Sequence, residues 1–286
     1  MKFKYLIIAF SIIIVLILLL AALLPLFITW SGAGLQSGLE PRSSPMAYAA
    51  EFRFAALFFF ILMIIVLVSF GVYILVNYRL FSLLEREDWP ALAYYLEQEI
   101  FVKGRCTARR VQLLASSYMV ISDYPSVLKL ESKIMLAKPV TVKKNALIFG
   151  AARILSGNYR EAAVFFRKYA EENVWTRWYY GFSSLLCGVH NQAETEFIAS
   201  IESSGDTLIT GLSAYFLDNT LIKYSQKPQD CRSAAENGRK IAVSKIKNSA
   251  GWNKVFKKAA SEIHIAIIRK YIDETGKWLF ISEVKS

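Results

Sequence analysis

Two stretches near the start of the chain show no alternation of apolar and polar positions: they are apolar throughout. Tyr5 to Trp30 reads "YLIIAFSIIIVLILLLAALLPLFITW", Phe54 to Val76 reads "FAALFFFILMIIVLVSFGVYILV", and neither holds a charged residue. Each exceeds the roughly 20 apolar residues that cross a hydrocarbon core of about 30 Å. A helix on the surface of a soluble domain would keep a polar stripe. The pattern therefore predicts two membrane-spanning helices, 5–30 and 54–76, joined by an outer loop, 31–53. The first run is far longer than the roughly 7–15 residues of a signal-peptide core, so it is read as a retained span. Were it cleaved, the second helix would still return the chain to the same side.

Past residue 78 the continuous apolar runs give way to helical spacing broken by short polar turns. No glycine or proline interrupts "ILVNYRLFSLLERED", Ile74 to Asp88, so the second span is expected to run on directly as helix into the first unit of this region. There the turns repeat. Gly157-Asn158-Tyr159-Arg160-Glu161-Ala162 continues to Phe165 and Phe166, and Gly188-Val189-His190-Asn191-Gln192-Ala193 continues to Phe197. Upstream, "SDYPSVLKL" and "EDWPALAYYL" carry the same polar–aromatic pair. Asp88, Asp123 and Asn158 are spaced 35 residues apart, and the step to His190 is 32. A small residue after a bulky one precedes three of these turns, at Leu114-Ala115, Phe149-Gly150 and Tyr180-Gly181. Two antiparallel helices approach closely only where a side chain is small, and Ala162 or Ala193 is expected at the complementary crossing. Gly157 suits the left-handed residue that ends many helices, and Asn158 or Asp123 is placed to cap the next one. The pattern is that of stacked helix hairpins.

These residues resemble the tetratricopeptide (TPR) repeat. "GNYREAAVFF" follows its turn and second-helix signature, and "YGFSSLLCGVHNQAETEF" follows it with His190 in the aromatic position. Pro90 and Pro125, with Leu92 and Val127 in place of alanine, mark the two upstream units as more divergent. The resemblance covers roughly residues 80–200. It implies an α-solenoid of TPR-like hairpins over 78–228, which with the two transmembrane helices (1–77 with their loop) and a basic helical cap over 229–286 gives an all-α fold. It also implies a concave groove lined by the first helix of each repeat. Carried over position by position, that groove takes Arg109, Gln112, Ser116 and Met119 from the second repeat. Lys144, Leu147 and Ala151 come from the third, and Trp175, Trp178 and Phe182 from the fourth. Cations at one end and aromatics at the other suit an extended or helical peptide, since Arg and aromatic residues dominate binding energy. The competing role for the tryptophans is packing between repeats. Family members that clamp a terminal carboxylate also use groove asparagines, which are missing here.

Charge refines the picture. Of the net +11, Lys2 and Lys4 contribute +2 and the loop 31–53 contributes zero, which leaves +9 for the rest. Positive residues collect on the cytoplasmic side, so both termini and residues 78–286 are expected in the cytoplasm of a bacterial inner-membrane protein. Arg239 to Lys258 holds seven basic residues and no acid. Gly251 is expected to split this region into two helices, the second running through "WNKVFKKAASEIHIAIIRKYI" with Val255, Ala259, Ile263, Ala266 and Ile267 on one face. Lys245, Lys247, Lys254, Lys257 and Lys258 are either a solvated face or a contact for anionic lipid or an acidic partner. No nucleic-acid reader motif accompanies the charge.

Candidate chemistry adds little. Cys106, Cys187 and Cys231 are too scattered for a disulfide framework. His190 and His264 form no metal-ligand spacing, Glu171-Glu172 reads as a solvated face, and "GAGLQSG" lacks the Lys-Ser/Thr of a phosphate loop. The expectation is a membrane-anchored scaffold that recruits protein partners, not an enzyme, with no cofactor and no metal. The rivals are a biogenesis or transport accessory working through its spanning helices, and an enzyme of lipid or envelope metabolism.

Overall fold

The computed structural model describes residues 45–260 and 262–280, with side chains from residue 61 onward. The first predicted span, 5–30, and loop residues 31–44 lie outside the described residues. Those described are helical, with no strand among them. They divide into two units, Met1–Leu92 and Ala93–Ser286.

Among the described residues of the first unit one helix dominates. α1, Pro45–Glu85, runs 41 residues without a break. It starts nine residues before the predicted span, because proline is preorganised for the first helical turn, so the last part of the expected loop is helix. At about 1.5 Å per residue it measures about 60 Å, twice the hydrocarbon thickness. The most apolar 18-residue window of Ile61–Glu85 has a mean hydropathy of 2.4, and none of it is buried. Among the described residues this one helix is long and apolar enough to cross a membrane. As its sequence required, it continues beyond Val76 as far as Glu85.

α2, Trp89–Glu97, passes into a π turn at Gln98–Val102. The second unit continues with α3 (Ala108–Val120), α4 (Tyr124–Ala137), α5 (Pro139–Lys144), α6 (Ala146–Leu155), α7 (Tyr159–Lys168), α8 (Val174–Leu186), α9 (His190–Ser203) and α10 (Thr207–Asn219). The described residues end with α11 (Pro228–Ile246), α12 (Ser249–Ala259), α13 (Ile263–Ile267) and α14 (Arg269–Leu279). α3 packs on α4, α4 on α6, and from α6 to α11 each helix packs on the next. The sequence pattern did not anticipate α5, a short extra helix of six residues opened by Pro139.

The same device ends the first helix of each pair. A left-handed residue stands at Glu87 (φ 55°), Ser122 (φ 60°), Gly157 (φ 78°) and Gly188 (φ 77°). These positions are 35, 35 and 31 residues apart. Around each, two backbone bonds fold the chain over the spent helix end. Asp123 N–H donates to Tyr118 O at 2.9 Å and Ser122 N–H to Met119 O at 3.1 Å. Asn158 and Gly157 repeat the pair on Arg153 and Ile154, Val189 and Gly188 on Ser184 and Leu185, and Asp88 and Glu87 on Leu83 and Leu84. This double bond is the Schellman termination, and it satisfies carbonyls the helix leaves open. The incoming caps differ. Asp123 accepts from Ser126 N–H at 3.2 Å, whereas Asn158 makes no side-chain cap bond.

The small residues meet a different partner from the one expected. A Cβ on Gly150 would lie 2.5 Å from Cε1 and Cε2 of Phe166, and one on Gly181 would lie 3.2 Å from Cε1 of Phe197. The aromatic four residues past the alanine therefore lies over the glycine of its own pair. His190, which replaces an aromatic in the fourth unit, supplies a ring all the same: it stacks on Tyr224 with centroids 4.0 Å apart and planes 11° from parallel.

Candidate partner-binding site

α8 presents Trp175, Trp178, Tyr179 and Phe182 at i, i+3, i+4 and i+7, one face of the helix. Trp178 is fully buried. It stacks on Phe182 (centroids 5.2 Å, 15°) and meets Phe197 at 5.8 Å and Phe216 at 6.1 Å. Tyr179 stacks on Phe166 (5.2 Å, 17°). These rings hold the units of the fold together. The face they would have offered a ligand is already taken, by the chain's own C-terminal helices.

Three attachments hold that segment in place. At α13, the Tyr179 hydroxyl donates to His264 O at 2.7 Å, and the His264 ring sits edge-on to Trp175 (5.1 Å) and Tyr179 (5.8 Å). At α14, Tyr271 packs edge-on to Phe182 at 5.5 Å and tilted on Phe216 at 5.1 Å. The Tyr215 hydroxyl donates to Glu274 Oε2 at 3.0 Å and Trp278 Nε1 to Asp218 Oδ2 at 3.0 Å. At α12, the Trp252 ring fits against Gly211 and Gly276, where a Cβ would stand 2.9 Å and 2.7 Å from it, and its Nε1 donates to Ile272 O at 3.1 Å. Gly211 of α10 and Gly276 of α14 thus leave the room this ring occupies.

The groove positions are corrected accordingly. Trp178, Phe182, Met119 and Ala151 are core, and Trp175 and Leu147 are half-buried. Arg109, Gln112 and Lys144 remain exposed and Ser116 half-exposed. Asn145 draws the cations' segments together: its Nδ2 donates to Ala108 O at 3.2 Å and to Thr141 O at 2.9 Å. The start of α3 is thereby fixed to the α5–α6 joint, with Arg109 and Lys144 each one residue from that link.

The C-terminal lysines also move in the chain's geometry. α11 ends at a left-handed Lys247 (φ 65°), and Asn248 caps Gly251 N–H at 2.9 Å. The split thus falls before Gly251, which sits inside the first turn of α12. The expected single helix through "WNKVFKKAASEIHIAIIRKYI" is broken between Ala259 and Ile263, which frees α13 to turn onto α6 and α8. Lys245, Lys247, Lys254, Lys257 and Lys258 are all exposed, and Lys245 Nζ donates to Gly205 O at 3.1 Å.

Two buried titrating groups are shifted, each for a different reason. Burial pushes the His264 imidazole down from 6.5 to about 4. At neutral pH it is therefore uncharged, and its 3.4 Å approach to Glu262 is not an ion pair. Its Nε2 is buried without a hydrogen-bond partner. Glu99, almost fully buried, is held below the usual carboxylate range by its hydrogen bond to Lys103, with Arg105 adding to the effect against burial. Its oxygens lie 2.7 Å from Lys103, 3.1 Å from Arg105 and 3.7 Å from Arg110.

Sequence reasoning identified the aromatic face of α8 but missed its occupant. The available signal was the excess of apolar positions from Ile263 to Leu279, more than a solvated cap helix requires.

Among the described residues, fold and site define an all-helical protein with one helix long and apolar enough to cross a membrane. Residues 126–281 match the model of a family described as uncharacterised Treponema proteins, and the chain belongs to that family. It is similar to an uncharacterized protein of Treponema pallidum (strain Nichols), 28% identical over 245 residues that cover 80% of this chain and 76% of the relative.

Proposed function

We propose that this protein is a membrane-anchored scaffold of TPR-like hairpins that recruits protein partners at the cytoplasmic face of a bacterial inner membrane. The observation that carries the reading is the recurrence of one helix terminator at Glu87, Ser122, Gly157 and Gly188. Evenly spaced hairpins of this kind stack into the extended surfaces that repeat proteins use for binding. With the aromatic end of the groove filled by α13 and α14, the open end is the recruitment surface. Arg109 and Lys144 supply positive charge there, and Gln112 and Ser116 supply hydrogen bonds. An extended acidic segment of a partner is the matching ligand. The exposed C-terminal lysines form a second basic surface, for anionic headgroups or an acidic partner. Function then comes from raised effective concentration at the membrane, with no bond made or broken.

A photo-crosslinking amino acid at Gln112 or Lys144 of the full chain, irradiated in intact membranes, tests this. Adducts are expected at both positions, absent from a control at exposed Glu171, and diminished by Arg109→Glu. Equal labelling at all three positions refutes the assignment. Trp178→Ala is no substitute for these variants: removing a buried aromatic costs about 3–5 kcal/mol, so any loss of binding would report unfolding.

A further inference from the structure

The unit Ala93–Ser286 also carries a face that is both apolar and cationic. Phe101 and Val102 close the π turn with 40% and 72% of their surface exposed. Lys133 of α4 places Nζ 4.7 Å from the Phe101 ring centroid, which joins the turn to the outer face of α4. On that face Lys129, Lys133 and Leu136 stand at i, i+4 and i+7, and Leu136 is 91% exposed. A single exposed leucine is ordinary. Three large apolar side chains bordered by two lysines make a patch.

The surrounding charge says what the patch fits. Every carboxylate between Ala93 and Val140 is engaged inside the fold. Glu97 accepts from the Tyr118 hydroxyl, Glu99 meets its three cations, Asp123 caps α4, and Glu131 pairs with Arg153 at 2.6 Å. Among the described residues no ion pair involves Lys129 or Lys133. The face therefore presents positive charge that no carboxylate of its own segment offsets. Protein interfaces are depleted in lysine. A bilayer interface takes both parts, lysine against anionic headgroups and aromatic or aliphatic groups at the acyl boundary.

We infer that Phe101, Val102, Lys129, Lys133 and Leu136 form a docking face for an anionic lipid surface. The inference rests on the reading of Ile61–Glu85 as a membrane span. Only 16 residues separate Glu85 from Phe101, which keeps the face within tether range of the membrane that helix enters. The face differs from the C-terminal lysines in having apolar side chains to insert.

The test uses the full chain in lipid nanodiscs. Cys106→Ser and Cys187→Ser leave only fully buried Cys231, and Ser132→Cys on the α4 face carries an environment-sensitive fluorophore. Phosphatidylcholine discs are compared with discs containing phosphatidylglycerol, each with a quencher on the acyl chains. Quenching at position 132 is expected with phosphatidylglycerol and much less without it. Leu136→Ser, which removes almost no folding contact, should weaken it. Lys129→Glu with Lys133→Glu should lower the docked-to-free ratio by about 30-fold or more, which is about 2 kcal/mol for two lysines. A fluorophore at Leu75→Cys, inside the apolar helix, reports the anchor separately. Quenching at 75 with none at 132 in either lipid overturns the docking face alone, as does quenching at 132 that ignores lipid charge. No quenching at 75 overturns the span and the docking face with it. Burial of the 132 label that depends on protein concentration and not on lipid would assign the patch to a second copy of the chain, and overturn the lipid assignment.

Discussion

Substituting Gly150 by alanine separates two opposed physical effects by sign. In an isolated helix the change stabilises by about 0.8–1.0 kcal/mol, because alanine loses less backbone freedom than glycine. In this protein the new methyl would stand 2.5 Å from two ring carbons of Phe166, against an ordinary carbon–carbon contact of about 3.5–4.0 Å. The ring must therefore retreat by about 1 Å or more, and it has nowhere to go. One face lies on Tyr179 (5.2 Å, 17°), its neighbour Phe165 stands edge-on at 5.9 Å, and Tyr179 is itself tied to His264 O. Overpacking of this kind costs about 1–3 kcal/mol, which outweighs the propensity gain. The expected net result is a loss of up to about 2 kcal/mol. Phe166→Leu alone also destabilises, but it opens the space the methyl needs. The double variant should then recover at least about 1 kcal/mol relative to additivity. Urea unfolding of the full chain in detergent, followed by tryptophan fluorescence, measures all four corners of the cycle. Stabilisation by Gly150→Ala, or additivity within about 0.5 kcal/mol, would refute the close-approach account of these hairpins.

Ser122 holds a left-handed conformation that costs an L-residue about 1 kcal/mol, so Ser122→Gly should stabilise by up to that amount in the same unfolding assay, while Gly157→Ala should lose a similar amount. His264 has a folded pKa depressed to about 4 from 6.5, so its contribution is complete above about pH 6.5 and is lost as pH falls toward 4, on the order of 3 kcal/mol in all. Stability measured across that window should fall steeply in the wild type and less steeply in His264→Phe, and equal slopes would remove His264 as the cause.

Particular residues mark where the sequence was legible. The uncharged run that becomes α1 could be read because hydrophobic length is a local property. The 35-residue spacing could be read because a helix terminator needs only its own few residues, and Gly157 or Gly188 advertises the left-handed angle. Ser122 and Glu87 take the same angle without advertising it, and only the recurrence of the neighbouring Asp-aromatic pair placed their turns. Short-range signals likewise revealed the amphipathic character of the C-terminal region, although Lys247 and Asn248, not Gly251, made the break.

What required the tertiary structure was the pairing of faces. Periodicity shows that one side of α8 is apolar, and it is silent on what covers that side. Tyr179 and His264 are 85 residues apart, and nothing local to either names the other. The same apolar face could have met a partner's peptide or the chain's own tail with no change in its pattern. The three-dimensional fold decided for the tail, because the break after Ala259 lets α13 turn inward and because Gly211 and Gly276 leave room for Trp252. That choice left Arg109, Gln112, Ser116 and Lys144 as the polar groove positions that stay wholly or partly exposed.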